Sequence, residues 1–282
     1  MNSFITKVVR KIKRSNFLLN LFGLFGRELK PDKWVFILGC YNSGTTLLSK
    51  VLSYHHQISG LPDEGIAYTN RIAYPELFGW PRMWIKCRER MNQANSLLSA
   101  KDARQIKKQW SFWYLQRPVL VEKSISDVTR IDFLKENFTP AYFIILRRNG
   151  FAVAEGIQRK ANLKKWGNKK YKEKYPIGLC AEQWVKTYHL LEIKKESLSN
   201  YIEISYEDFT EKTESTLHAI TSFLGLEPFP QSTFQHNWKL QGRNKPIINM
   251  NKKSFDRLSE EDIKKIESVA GTQLQIYGYS VG

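Results

Sequence analysis

The chain has 282 residues, 42% of them hydrophobic and 13% aromatic, which suits a globular core and excludes a disordered or fibrous chain. Forty-four Lys and Arg against 27 Asp and Glu give a formal net charge of +17, so an anionic partner is expected: nucleic acid, an anionic membrane surface or a multiply charged small molecule. Three widely spaced cysteines, Cys40, Cys87 and Cys180, argue against a disulfide framework and a zinc site and fit a reducing, cytoplasmic compartment.

The first 29 residues read as a basic amphipathic N-terminal segment, with cations followed by the apolar run Phe17 to Phe25. That run is too short to span a bilayer, and no small-residue cleavage pattern follows it. Two readings stand: a terminal helix packed on the domain or on a neighbouring subunit, or peripheral contact of residues 1–26 with an anionic membrane.

From residue 30 onward, four short apolar runs predict buried parallel strands: WVFIL at 34–38, VLVE at 119–122, YFIIL at 142–146 and YIEIS at 201–205. Between them, Leu47, Leu48, Val51 and Leu52 recur at helical spacing, as do Leu217, Ile220, Phe223 and Leu224. Ser259 and Asp262 form a capping-box pattern ahead of Ile263, Ile266 and Val269. This alternation predicts one α/β domain, residues 30–282, with a P-loop-like, mainly parallel central sheet flanked by helices and a ligand site at the carboxyl ends of the strands. Residues 65–116 break the alternation and predict a helical cap over the acceptor side.

The stretch GCYNSGTTLL follows the first strand. Its Gly39, four residues and Gly44 repeat the spacing of a nucleotide P-loop, but Thr45 stands where the phosphate-binding lysine belongs. Backbone N–H groups at a helix start can hold a phosphate without that lysine, and the hydroxyls of Ser43, Thr45 and Thr46 add donors, with no magnesium required. An ordinary tight strand-to-helix turn has the same local pattern.

Taken with its neighbours, this loop resembles the donor-binding signature of sulfotransferases that use 3′-phosphoadenosine 5′-phosphosulfate (PAPS), in particular the bacterial group related to tyrosylprotein sulfotransferases. YFIILRRNGFAVAEGI at 142–157 is similar to their second signature, VLVEKS to a strand-end "EK", and YEDF with FLGL and RLSEEDIKKI…YGY to their downstream pattern. The resemblance covers residues 34–279. It implies that Asn42, Ser43, Gly44, Thr45, Thr46 and the backbone of Leu47 cradle the 5′-phosphosulfate. Arg148, with Arg147 as its neighbour one register away, would contact the 3′-phosphate. Two positions depart from the family pattern: Asn42 replaces an arginine or lysine, and Gly156 replaces a serine. An arginine restored at position 42 is expected to speed transfer, and Lys123 or the basic segment after Gly156 is expected to supply some of the missing charge.

Sulfuryl transfer requires a base for the acceptor proton and a cation for the leaving phosphate. The resemblance points to Glu64 as base, with Asp63 and His55 as alternatives; Lys123, at a predicted strand end, is the second catalytic candidate. The segment 158–175 carries eight Lys or Arg and one acidic residue interleaved with Trp166, Tyr171 and Tyr175, which reads as a solvated helix face, as a mobile lid or as recognition of an anionic acceptor. The expected acceptor is a saccharide, a lipid head group or a small metabolite carrying a hydroxyl or amine, with no metal and no nucleic acid involved. A P-loop-type kinase and a non-catalytic basic nucleic-acid or membrane-binding protein are the competing readings.

Overall fold

A computed structural model describes residues 15–240 and 243–281. The expected basic cluster of residues 1–14 lies outside these. Five strands form one parallel sheet: β1 Lys33–Gly39, β2 Ile58–Gly60, β3 Val119–Glu122, β4 Ala141–Arg147 and β5 Tyr201–Ser205, in the order β2-β3-β1-β4-β5. The chain therefore runs from β1 out to the edge strand β2, returns to β3 between them, and then crosses to the other side of β1. Ligands bind at such a switch point, where neighbouring connections diverge and leave a crevice.

Helices cover both faces, which is why the strands read as continuous apolar runs rather than alternating ones. On one face, Val35, Ile37, Val121 and Ile144 pack against α2 (Thr45–Leu52) and, further along the chain, a helix at Thr213–Leu224. On the other, Trp34, Phe36, Leu38, Phe143 and Ile145 share a core with helices at Ala100–Trp110, Gly150–Lys160, Ile177–Lys195 and Glu260–Ile276. In chain order we number α1 Asn16–Phe25, α3 Arg88–Ser96, α4 Ala100–Trp110, α5 Ile131–Asn137, α6 Gly150–Lys160, α7 Ile177–Lys195, α8 Tyr206–Glu211, α9 Thr213–Leu224, α10 Asn251–Phe255 and α11 Glu260–Ile276. A two-stranded hairpin pairs Trp238–Leu240 with Arg243–Lys245.

Two local expectations shift. In α11 the capping box of Ser259 and Asp262 forms, but the inward face is Ile266, Ala270 and Leu274, and Val269 points outward. Within the region 65–116, α4 belongs to the core through Ala103, Ile106 and Trp110. Helix α1 lies on α4, with Leu19 and Gly23 inward and the Leu19 carbonyl accepting from Gln109 Nε2 at 2.9 Å.

Candidate active site

Parallel register sets the site. Gly39 pairs with Leu146, Phe36 with Glu122, and Arg147 with Ser205, so the residues that follow β1, β3, β4 and β5 emerge along one edge of the sheet. These are the glycine loop, Lys123, Arg148 and Tyr206.

The loop turns through two left-handed residues, Asn42 at φ 64° and Gly44 at φ 95°. Asparagine is among the few non-glycine residues enriched there. At Gly44 no other residue fits, because a Cβ would lie 2.5 Å from the Tyr206 ring. The N–H groups of Gly44, Thr45 and Thr46 have no acceptor among the described residues, as the first turn of a helix requires. Unpaired N–H groups at a helix start are the feature that an anion could use there. Two of the named residues face elsewhere. The Leu47 N–H donates to the Gly44 carbonyl at 2.9 Å, and the Ser43 hydroxyl is buried 3.1 Å from the Tyr188 hydroxyl. Since Tyr188 spends its own proton on the Leu146 carbonyl at 2.8 Å, Ser43 is the donor to it, and this bond ties the loop to β4.

Arg148 is held over the cradle. Its Nη1 donates to the Asn42 carbonyl at 2.7 Å, its Nε to Asn251 Oδ1 at 2.8 Å, and its guanidinium lies 4.1 Å from the centre of the Tyr206 ring. Asn251 is in turn fixed by Glu207 at 2.6 Å, which also accepts from the Asn149 N–H at 3.0 Å. Neighbouring Arg147 points away, toward Glu203 and the Tyr277 ring. Of the two arginines the sequence offered, Arg148 is the one that faces the glycine loop. Tyr206 and Asn251 went unnoticed in the sequence; the tyrosine of YEDF was the available signal.

The two residues that depart from the family pattern touch. A Cβ built on Gly156 would lie 2.8 Å from Asn42 Cγ and 3.0 Å from Asn42 Cβ. Asn42 Nδ2 is buried and has no hydrogen-bond partner among the described residues.

On the other side of the cradle, Lys123 Nζ meets Glu64 Oε1 at 2.9 Å, with the lysine side chain 6% and the glutamate side chain 28% exposed. Strand-end residues also grip the adjoining backbone. Glu122 Oε1 accepts from the Gly65 N–H at 2.8 Å, and the Ser124 hydroxyl accepts from the Ile66 N–H at 3.1 Å. Burial, with the Asp127 charge next, pushes the Glu122 carboxyl well above the usual carboxylate range. Asp63 accepts from the Glu64 N–H at 3.0 Å, outside this pair. His55 is a structural residue: buried, its Nδ1 accepts from the Gln57 N–H at 3.2 Å and its Nε2 donates to the Glu227 carbonyl at 2.9 Å. Burial lowers its pKa.

The basic segment after α6 is folded onto the 74–82 turn. Asn168 Nδ2 donates to the Gly79 carbonyl at 2.7 Å, the Tyr175 hydroxyl to the Pro81 carbonyl at 3.1 Å, and Trp80 stacks on Tyr175. The Arg82 guanidinium lies 5.9 Å from the Tyr41 ring, and its charge acts on the largely buried Lys160. Three thiols are free and buried, and no group of three or more His, Cys, Asp or Glu suited to a metal occurs among the described residues.

A parallel sheet with a lysine-free phosphate cradle, a fixed arginine beside it and a carboxylate–ammonium pair opposite defines a group-transfer enzyme of the P-loop-like class. The chain belongs to the sulfotransferase family, whose sequence profile matches residues 35–231. No curated protein sequence matches it. Among solved structures it is similar to the sulfotransferase domain of the curacin biosynthetic pathway (17% identity, 91% of this chain and 100% of that one, TM-score 0.56). It is also similar to the sulfotransferase domain of the Synechococcus PCC 7002 olefin synthase (18%, 87% and 98%, 0.52) and to mouse sulfotransferase SULT7A1 complexed with PAP (13%, 93% and 91%, 0.51).

Proposed function

We propose that this enzyme moves the sulfuryl group of PAPS to a hydroxyl or amine acceptor. The observation that carries the reading is the convergence, at one sheet edge, of unpaired loop N–H groups, Arg148 and the Glu64–Lys123 pair. PAP, present in the mouse structure, is the product such a donor leaves behind. Gly44, Thr45 and Thr46 bind the 5′-phosphosulfate through backbone N–H groups at the positive end of α2. Arg148, already oriented, binds the 3′-phosphate.

Glu64 accepts the acceptor's proton as its oxygen or nitrogen attacks sulfur in line, and the S–O bond to the 5′-phosphate breaks with its electron pair leaving on the phosphate. Lys123 holds Glu64 until the donor arrives, then offers its ammonium to the leaving oxygen, which frees the carboxylate to act as base. The ordered basic and aromatic wall of residues 161–175 supports a saccharide, a lipid head group or a small anionic metabolite as acceptor.

A thermal-shift comparison of PAP, ATP and a DNA duplex tests this reading. PAP at a hundredfold its Kd should stabilise the protein by about 2.7 kcal/mol, and ATP and DNA should not. Stabilisation by ATP alone would favour a kinase.

The outward face of α1 exposes Phe17, Leu24 and Phe25, each about 70% accessible, and α4, on which α1 packs, carries the exposed cations Lys101 and Arg104. No described helix is long and apolar enough to cross a membrane. Shallow insertion of these side chains into an anionic leaflet is the reading they support. Flotation with phosphatidylserine vesicles tests it, and equal flotation of the F17S/L24S/F25S protein would refute it.

A further inference from the structure

The cradle lacks a cation at Asn42, yet two cations without carboxylate partners stand beside it. Among the described residues, neither Arg82 nor Lys160 has a carboxylate within ion-pair distance. Of the nearby carboxylates, Glu155 is taken by Arg159 at 2.5 Å and by Arg257 at 3.5 Å and Glu64 by Lys123, while Glu76 accepts from the Arg82 backbone N–H rather than pairing with its guanidinium. Both cations bracket the loop. Lys160 lies one helical turn beyond Gly156, which touches Asn42, and the Arg82 guanidinium lies 5.9 Å from the ring of Tyr41, the residue before Asn42.

Arg82 is also placed at a backbone cost. It is one of two non-glycine residues with positive φ among those described, at 60°, and its N–H is held by Glu76 Oε1 at 3.2 Å. Left-handed arginine is uncommon and persists only where surrounding structure enforces it. The 74–82 turn that enforces it is itself pinned by Asn168 and Tyr175.

We propose that Arg82 and Lys160 together bind the oxygens of the transferring sulfuryl group, replacing the charge that Asn42 does not carry. The assignment rests on the PAPS reading above. Like charges gathered together repel one another, and Glu76, whose pKa burial raises above its ordinary value, offsets them only in part, so the cluster is stabilised when an anion enters it. Burial first, then the charges of Arg82, Arg159 and Arg148, against Glu155 alone, lower the Lys160 ammonium to about 8. Such a lysine is charged at neutral pH and is kept so by a bound anion. Neither residue is needed to hold PAP, which lacks the sulfuryl group.

The discriminating experiment uses the full chain and needs no acceptor, because the slow transfer of the sulfuryl group to water, giving PAP, sulfate and a proton, reports on the same centre. Affinities for PAP and for PAPS are measured by calorimetry, and sulfate release from labelled PAPS is followed, for the wild type, R82Q, K160M, K160R and R82Q/K160M. The double variant should bind PAP within twofold of wild type, bind PAPS at least tenfold more weakly and release sulfate at least a hundredfold more slowly. K160R should retain most of the rate and lack the decline expected of the wild type above about pH 8. Equal weakening for PAP and PAPS would place the cations on the nucleotide phosphates and overturn the assignment, as would unchanged PAPS binding and hydrolysis. Wild-type protein that binds neither nucleotide would instead refute the donor reading itself.

Discussion

Asn42 and Gly156 occupy one another's space: the asparagine side chain fills the volume that any Cβ at 156 would need, 2.8 Å from Asn42 Cγ. The two departures from the family pattern are therefore one structural feature rather than two independent losses. Gly156→Ser alone should displace Asn42, whose carbonyl holds Arg148, with a stability loss of about 1–3 kcal/mol and weaker PAP binding. Asn42→Gly suits the left-handed backbone and removes the obstruction, so N42G/G156S should recover most of both. Melting temperatures and PAP affinities of the four proteins form a double-mutant cycle, and strict additivity would show that the contact carries no energy.

The same contact revises the expectation that Asn42→Arg speeds transfer. Position 42 has φ 64°, where an arginine costs about 1–2 kcal/mol of backbone strain. That variant should melt lower than wild type, whatever its rate, and an unchanged melting temperature would contradict the strain.

Removal of either member of the Glu64–Lys123 pair should be asymmetric. Lys123 is the more buried partner, so Glu64→Ala leaves a buried ammonium unpaired and should destabilise by about 3 kcal/mol, whereas Lys123→Ala leaves a carboxylate that water can reach. Glu64→Gln keeps an acceptor for the ammonium. It should retain the fold and the PAP affinity and lose about 10²- to 10⁴-fold in transfer rate. A Glu64→Gln enzyme with wild-type turnover would show that another group takes the proton.

Strands β1, β3 and β4 were legible in the sequence because both faces of the sheet are covered, making each a continuous apolar run bounded by polar or glycine residues. Strand β5, at the sheet edge and only partly buried, was legible from Tyr201, Ile202 and Ile204 despite the interposed Glu203. Strand β2, three residues at the sheet edge after α2, offers no such run. The cradle was legible because one local segment builds it. Arg82, Tyr206 and Asn251 were not, because each reaches the site from a segment distant in sequence: Tyr206 meets Arg148 across the β4–β5 pairing, and Asn251 meets it through the C-terminal chain. Glu122 read as a strand end. Its side chain is instead inside, and Oε2 has no partner among the described residues.

That burial has a pH signature. The unfolded-state pKa of a glutamate is about 4.3, and the folded value of Glu122 is raised well above it, so folding takes up a proton. The stability it contributes is present below pH ~4.3 and is lost as pH rises toward the folded value, on the order of 1 kcal/mol per pH unit. Glu122→Gln, shaped like the protonated acid, escapes this loss while keeping an acceptor for the Gly65 N–H. Denaturant titrations should find the two proteins nearly equal at pH 5 and the variant more stable at pH 8. A gap that narrows with rising pH would mean that Glu122 is ionised in the folded protein.

Arg148 is fixed before any ligand arrives, and that fixing depends on the guanidinium's shape. Nη1 reaches the Asn42 carbonyl while Nε reaches Asn251, and the plane lies on Tyr206. A lysine supplies the charge but cannot make two divergent bonds and present a flat fork to a phosphate. Arg148→Lys should therefore weaken PAP binding by about tenfold or more, the loss of one charge-assisted bond. Adenosine 5′-phosphate, which lacks the 3′-phosphate, should bind wild type and Arg148→Lys alike. Tyr206→Ala should show the same selectivity with a smaller loss, since it removes the platform and leaves both hydrogen bonds. Equal weakening for the two nucleotides would place Arg148 at the 5′ group and reverse the orientation of the donor in the cradle.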